Sequence, residues 1–385
     1  MIARLCMSDL HLGDGRSTLS NPEIADQVVA ALEQASGGEI GTLILNGDVW
    51  EECVPENLSV LAFGLAKSTL DASNRFLGQL LCRVKIGKIV VLAGNHDLSL
   101  WRWYNSSLKV KDPNLEISPY TGCPVNPSDW PWSKLLCYEG SGKAYDGQLI
   151  YSYPLYWDTS VGPDYPMLIF THGHLHDPLV LGQDAEAEYV ALRSLGCSRP
   201  NLIPEKITSV GILARAVDSF VLSLWQRYSE RDYVYANHVM RRLNHPQTCE
   251  WQSAFAEIGL YYTGKRCVSA DQPPPGQGYV DNVPAFLSLL IMDPNLPTPV
   301  GQLGGKPLGP AFTNPSCLVF GHDHLGTRRM MSVCGVPWDV VDSGGWTSEY
   351  NGHLPHCHAL IWKKTEDVVP VSCFIRARTK TGGVL

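Results

Sequence analysis

The sequence predicts an α/β fold carrying a mostly helical insertion, on three observations. Short apolar β-type runs recur and end in polar residues. ARLCMS runs into Asp9 and His11, TLILNG into Asp48, and KIVVLAG into Asn95, His96 and Asp97; later, MLIFT runs into His172 and CLVFG into His322 and His324. A helical pattern separates the first two runs, and strands alternating with helices imply an α/β core. Between residues 178 and 310 the period changes, and apolar residues recur every three to four positions.

Each element has its own signal. The apolar runs are rich in Val, Ile and Leu and short enough for buried strands. In NPEIADQVVAALEQAS, Asn21 is a polar cap, Pro22 suits the first helical position, and Ile24, Val28 and Leu32 share one face. Residues 56–82 also read as helical. In ITSVGILARAVDSFVLSLWQRYSE, Val210, Leu213, Val217, Val221, Leu224 and Tyr228 form a broad apolar face, and WQSAFAEIGLYY repeats the pattern with Trp251, Phe255, Ile258 and Tyr262. Such faces pack on each other or on the core, or else line the inner wall of a lid. Two Pro/Gly-rich loops follow, then β-type text resumes in CLVFG, TRRMMSV, VPWDVVDS and HCHALIW. The core therefore spans 1–177 and 311–385, and 178–310 is a helical insertion or lid.

Composition narrows the function classes. With 385 residues, 44% hydrophobic and 18% charged, the chain buries a substantial core. A net charge of −8 counts against a protein whose main task is gripping a nucleic-acid backbone. The start, MIARLCMSDLHLG, lacks the basic and long apolar regions of a secretory signal, and no run of about 18 apolar residues suggests a membrane span. A cytoplasmic location is expected. The 12 cysteines are scattered without a CxxC pair, as expected of reduced thiols rather than a disulfide framework. His356, Cys357 and His358 precede ALIW and read as strand rather than as a zinc site.

The chemistry lies at the strand ends. Asp9, His11, Asp48, Asn95, His96, Asp97, His172, His322 and His324 offer carboxylate, imidazole and amide oxygen, donors suited to Zn, Mn or Fe. They are too many for one tetrahedral ion, whereas two ions sharing a carboxylate would use them well. Alternation along a strand would point Asp9 and His11 the same way, and His322 and His324 likewise. THGHLHD adds His174 and His176 two and four residues after His172.

In order, DLH (9–11), GD (47–48), GNHD (94–97), THGH (171–174) and GHDH (321–324) resemble the signature of the calcineurin-like metallophosphoesterases. The resemblance covers roughly 1–177 and 311–385 and leaves the insertion unaddressed. It implies a two-sheet αββα sandwich with helices outside. It also implies two metal ions, Mn, Fe or Zn with Mn favoured: Asp9, His11 and His324 would hold one, Asn95, His172 and His322 the other, and Asp48 would bridge them. A metal-bridging hydroxide would then attack a phosphoester in line. His96 would protonate the leaving oxygen or steady charge, oriented by Asp97. The implied substrate is a small-molecule phosphodiester, pyrophosphate or phosphomonoester. The superfamily also contains nucleases and an acyl-sugar-nucleotide pyrophosphatase of lipid A synthesis, whose short HGD-type block differs from THGH. A catalytically silent scaffold is the reading from outside enzymology, and the complete ligand set counts against it.

The chain departs from the superfamily's protein phosphatases, which usually follow GD with an Asp–Arg pair. Here the text is GDVWEE, with Trp50, Glu51 and Glu52, which argues against a phosphoprotein phosphatase. DSGGW (342–346) loosely resembles the Asn/Asp–x–Gly–Ser–Trp run of small-molecule members. Further substrate contacts are expected from His174 beside the phosphate, from Trp101, Trp103 and Tyr104 against a leaving group, and from Arg328 and Arg329 on a second phosphate. The alternatives are a packed helix start at Trp101 and solvated strand residues at Arg328. His176 reads as a hinge residue where the core leaves for the insertion.

Overall fold

The apolar runs form strands in a computed structural model that describes residues 2–15, 17–51, 66–98, 100–101, 104, 122–158, 168–176, 209–215, 277–293, 316–322, 326, 328–347, 358–363 and 371–374. The strands are β1 (Ile2–Met7), β2 (Glu39–Asn46), β3 (Lys85–Leu92), β4 (Cys123–Val125), β5 (Gln148–Ser152), β6 (Leu155–Asp158), β7 (Leu168–Thr171), β8 (Ser316–Phe320), β9 (Arg328–Val333), β10 (Val336–Asp342), β11 (His358–Lys363) and β12 (Val371–Phe374). The sequence reading did not find β4, β5, β6 and β12. These are short, and β4 contains Pro124 and lies at a sheet edge, where a missing N–H is tolerated.

The strands make two sheets, mixed in direction. One runs β12-β11-β1-β2-β3-β5-β4 and the other β6-β7-β8-β10-β9. Pairings β1–β2, β2–β3, β3–β5, β7–β8 and β8–β10 are parallel. A buried apolar cluster takes alternate residues from both sheets: Cys6, Ile44, Val90 and Leu360 from the first, Phe170, Val319 and Val341 from the second. Strand alternation sends their neighbours Leu5, Leu43 and Ile89 into a second cluster on the other face. The sheets therefore pack face to face around one apolar layer.

Helices cover the outer faces. α1 (Pro22–Ser36) starts as expected: Asn21 accepts the Glu23 N–H at 2.9 Å, and Gly37 ends the helix at φ 63°. Its Ile24, Val28 and Leu32 are buried in one cluster with Leu5, Leu43 and Ile89. The predicted 56–82 helix is described from 67 on, as α2 (Lys67–Ser73), a π turn Asn74–Gly78 and α3 (Gln79–Arg83). A short α4 (Trp132–Leu135) follows. No described helix is long and apolar enough to cross a membrane.

Within 178–310 the described pieces are helical, a turn over 210–215 and α5 (Gln277–Met292). Asp293 accepts the Val210 N–H at 2.8 Å and ties them together. Val210, Leu213, Phe286, Leu287 and Leu290 are buried in the same cluster as Leu318 and Phe320 of β8. These pieces thus pack on the smaller sheet; residues 217–228 and 251–262 lie outside the described residues.

A candidate two-metal centre

All the predicted strand-end residues that are described lie at the carboxyl ends of β1, β2, β3, β7 and β8, where such sheets usually place their sites. Contrary to expectation, strand alternation does not aim Asp9 and His11, because β1 ends at Met7. Instead Asp9, His11, Asp48 and His322 hold left-handed backbone, at φ 54°, 45°, 49° and 76°. Such conformations are strained in non-glycine residues and persist only where surrounding structure fixes them. Here the loops fix one another: Asp9 N–H donates to Gly47 O at 3.0 Å, His11 N–H to Asp48 O at 2.9 Å, and Gly321 N–H to His172 O at 2.9 Å. Two motif glycines allow this close approach. A Cβ on Gly94 would stand 2.1 Å from Asp48 Oδ1, and one on Gly321 would stand 2.0 Å from Asp9 Oδ2.

Around Asp48 the side chains form two groups that could each hold a cation. In one, the donor atoms of Asp48, His172 and His322 lie within 4.8 Å of one another. His172 Nδ1 faces Asn46 O at 3.3 Å, which directs Nε2 toward Asp48 Oδ2 at 3.1 Å and Asn95 Oδ1 at 3.0 Å. Lone pairs that converge in a buried site repel unless a proton or cation sits among them. The residues therefore fit a metal, with the hydrogen bond that orients a ligating histidine already in place.

The proton takes the cation's part in the bare protein. Burial alone would depress the His172 pKa, but the carboxylates of Asp48 and Asp9 outweigh it and raise it to about 9. Burial pushes Asp48 the other way, yet His172, His96 and His11 hold it well below the usual carboxylate range. A raised folded-state pKa means that His172 stabilises the metal-free fold fully below its ordinary 6.5, and that this support is lost as pH climbs through about 9. A metal must displace that proton. Manganese binding at pH 7.5 is expected to release about one proton per chain, with affinity weakening about tenfold per pH unit below pH 9. Calorimetry in buffers of different ionisation heat measures this, and heats independent of buffer would contradict it.

The other group is His11, Asp48 and His96, also within 4.8 Å. Its organiser is Glu51, which the sequence reading quoted but gave no role. Buried Glu51 accepts from His11 Nδ1 at 3.0 Å and from His96 Nδ1 at 2.9 Å. Burial would raise the Glu51 pKa, but the two imidazoles hold it well below the usual range. The bond turns His11 Nε2 toward Asp48 Oδ2, 3.7 Å away. His96 also donates its backbone N–H to Asp48 Oδ1 at 2.8 Å. Asp97 does not orient His96, contrary to expectation: its carboxylate accepts the backbone N–H groups of Gly94 at 2.6 Å and Val49 at 2.9 Å. Asp97 joins two loops, while the imidazole partner comes from the GDVWE segment. Burial and the nearby Asp48 charge push the Asp97 carboxyl up to about 7, against the pull of those two N–H groups.

Asp9 is held from several sides. Ser8 Oγ donates to its Oδ2, and His322 N–H lies 3.0 Å from each carboxylate oxygen. Ser343 Oγ stands 2.8 Å from Ser8 Oγ, and Trp346 N–H donates to Asp9 O at 3.0 Å. Asp342 accepts the N–H groups of Gly326 at 2.7 Å and Gly344 at 2.8 Å. The DSGGW run thus clamps the loops that carry Asp9 and His322. His324 lies outside the described residues.

The expected substrate contacts fare differently. Buried His174 stands beside the Asp48–His172–His322 group, its ring 5.4 Å from His172 and 6.3 Å from His322. Trp101 is corrected to a core residue, with its ring 5.1 Å from Tyr151 and 5.8 Å from Tyr153. Tyr104 packs on Trp132, and Trp103 is outside the described residues. Arg328 is corrected too: its guanidinium grips Asp339 of the neighbouring strand through Nε at 3.0 Å and Nη2 at 2.8 Å. His176 is fully buried between Phe286 of α5 and Phe320 of β8, where the core meets the insertion. A scan of protein-family models and a search of curated proteins return no match to the chain.

Proposed function

We propose that the chain is a two-metal phosphoester hydrolase of the calcineurin-like metallophosphoesterase type. The observation that carries this reading is the place of Asp48, one buried carboxylate shared by two histidine-containing donor groups. Asn95, His172 and His322 would hold one ion with Asp48. His11 and Asp48 would hold the other, with Asp9 and His324 completing it as the resemblance implies. Bound there, two ions would supply an activated water and offset the charge of a phosphoryl group undergoing in-line displacement.

The protein's own groups do the rest. Glu51 fixes the His96 ring through Nδ1, which leaves Nε2 to carry a proton to a leaving oxygen. Asp48 secures the His96 backbone, so ligand and proton donor move as one unit. The Asp97 carboxylate closes the GNHD loop on the Gly94 N–H and ties it to the GD loop through the Val49 N–H. The substrate proposed is a small-molecule phosphodiester, pyrophosphate or phosphomonoester.

The test is direct. Purified chain loaded with Mn(II) is expected to cleave para-nitrophenyl phosphate or its bis ester, to lose activity in chelator, and to regain it with metal. A panel of mono-, di- and pyrophosphate substrates then fixes the bond type. Metal-loaded protein that cleaves none of them contradicts the proposal.

A further inference from the structure

His174 and Tyr153 form a pair that the two-metal reading leaves unused. Tyr153 Oη lies 3.2 Å from His174 Nε2, and the rings stack 6.0 Å apart at 12°. Both residues are over nine-tenths buried, Tyr153 at 5% and His174 at 3% exposure. Among the described residues nothing hydrogen-bonds His174 Nδ1, although the atom is buried. A buried polar atom left without a partner is costly and calls for a functional explanation.

Chemistry settles what this atom offers. A phenol is the better proton donor and a neutral imidazole nitrogen the better acceptor, so Tyr153 donates to Nε2. The ring proton then sits on Nδ1. That nitrogen is a donor with no lone pair for a metal, and His174 accordingly stands outside both groups of converging ligand atoms. Its ring nonetheless neighbours both imidazoles of the Asp48–His172–His322 group. A donor beside a cation site suits an anionic oxygen attracted to that cation.

We propose that His174 Nδ1–H, its tautomer set by Tyr153, is a specific hydrogen-bond donor to a phosphoryl oxygen held at the Asn95–His172–His322 side of the centre. This rests on the two-metal reading and adds to it a neutral anchor and the residue that orients it. Tyr153 is then a positioning residue and His174 a substrate-binding one.

The test exploits the shape of two amides. Asparagine at 174 places an N–H near the Nδ1 position, whereas glutamine reaches only toward the Nε2 position. Binding of inorganic phosphate to the Mn-loaded full chain is measured by calorimetry, alongside metal content and, where there is turnover, KM and kcat. One hydrogen bond to a charged oxygen corresponds to about a tenfold or larger change in affinity. His174→Gln and Tyr153→Phe are each expected to weaken phosphate binding about tenfold at unchanged metal content, and His174→Asn to recover most of it. Equal affinity in wild type and all three variants overturns the proposal, as does equal loss in the asparagine and glutamine variants with lowered metal content. Wild type that binds phosphate tightly but turns over no ester overturns the hydrolase reading while leaving the His174 test intact. Absence of Mn-dependent phosphate binding in wild type overturns both.

Discussion

Asp48→Asn is expected to cut Mn-dependent hydrolysis by at least about a thousandfold while the fold persists, because the carboxylate belongs to both donor groups. Its amide would keep one oxygen and replace the other with a nitrogen that binds metal poorly. The charge is lost, and with it much of the attraction that, together with Asp9, raises His172 to about 9, whereas the amide oxygen can still accept the His96 N–H. Metal content is expected to fall below two ions per chain by elemental analysis. Circular dichroism should be unchanged, since the strand ends stay stitched by backbone hydrogen bonds such as His11 N to Asp48 O. Turnover near the wild-type rate in a folded variant would rule out a shared ligand at this position. His322→Ala removes a donor from one group only, so it should lose less metal than Asp48→Asn.

The second large effect is expected at Glu51. Replacing it with Gln keeps the volume of a buried side chain and removes the charge that two imidazoles share. Loss of a partner that orients a metal ligand costs about 10–100-fold. Misplacing a proton donor costs about 100–10,000-fold. The two effects have one origin and do not add, so kcat should drop about 100- to 1,000-fold. The loss should be smaller for substrates with a good leaving group, such as para-nitrophenolate, than for alkyl esters that need a proton. That leaving-group dependence separates a role in proton delivery from simple destabilisation. A uniform loss across leaving groups would assign Glu51 to metal holding alone.

Much of this site was legible because its residues follow apolar strands. A run such as TLILNG must be buried, and the polar residues after it must lie where the sheet ends. That reasoning groups Asp9, Asp48, Asn95, His172 and His322 at one end of the sheets from sequence alone. The helix over 22–36 was equally readable, since cap, proline and periodic apolar face all agree. Glu51 was harder. It sits in GDVWEE, a loop segment with no periodic or spacing signal to aim its carboxylate at a site. Only the turn after Asp48, closed by Glu51 N–H to Leu12 O at 3.0 Å, brings that carboxylate beneath two histidines.

The sequence by itself determined the strand order of the ligands, the helical caps and the kind of donor at each loop, because these depend on local periodicity and side-chain chemistry. The tertiary structure decided the pairings. Glu51 rather than Asp97 holds His96, and Asp339 occupies Arg328. Tyr153 meets His174, and the DSGGW run braces Asp9. Arg328 and Asp339 meet across neighbouring strands of one sheet, while the other pairings join residues from separate loops, some across the sandwich. Such meetings are set only when the strands have paired and the two sheets have closed on their common apolar layer.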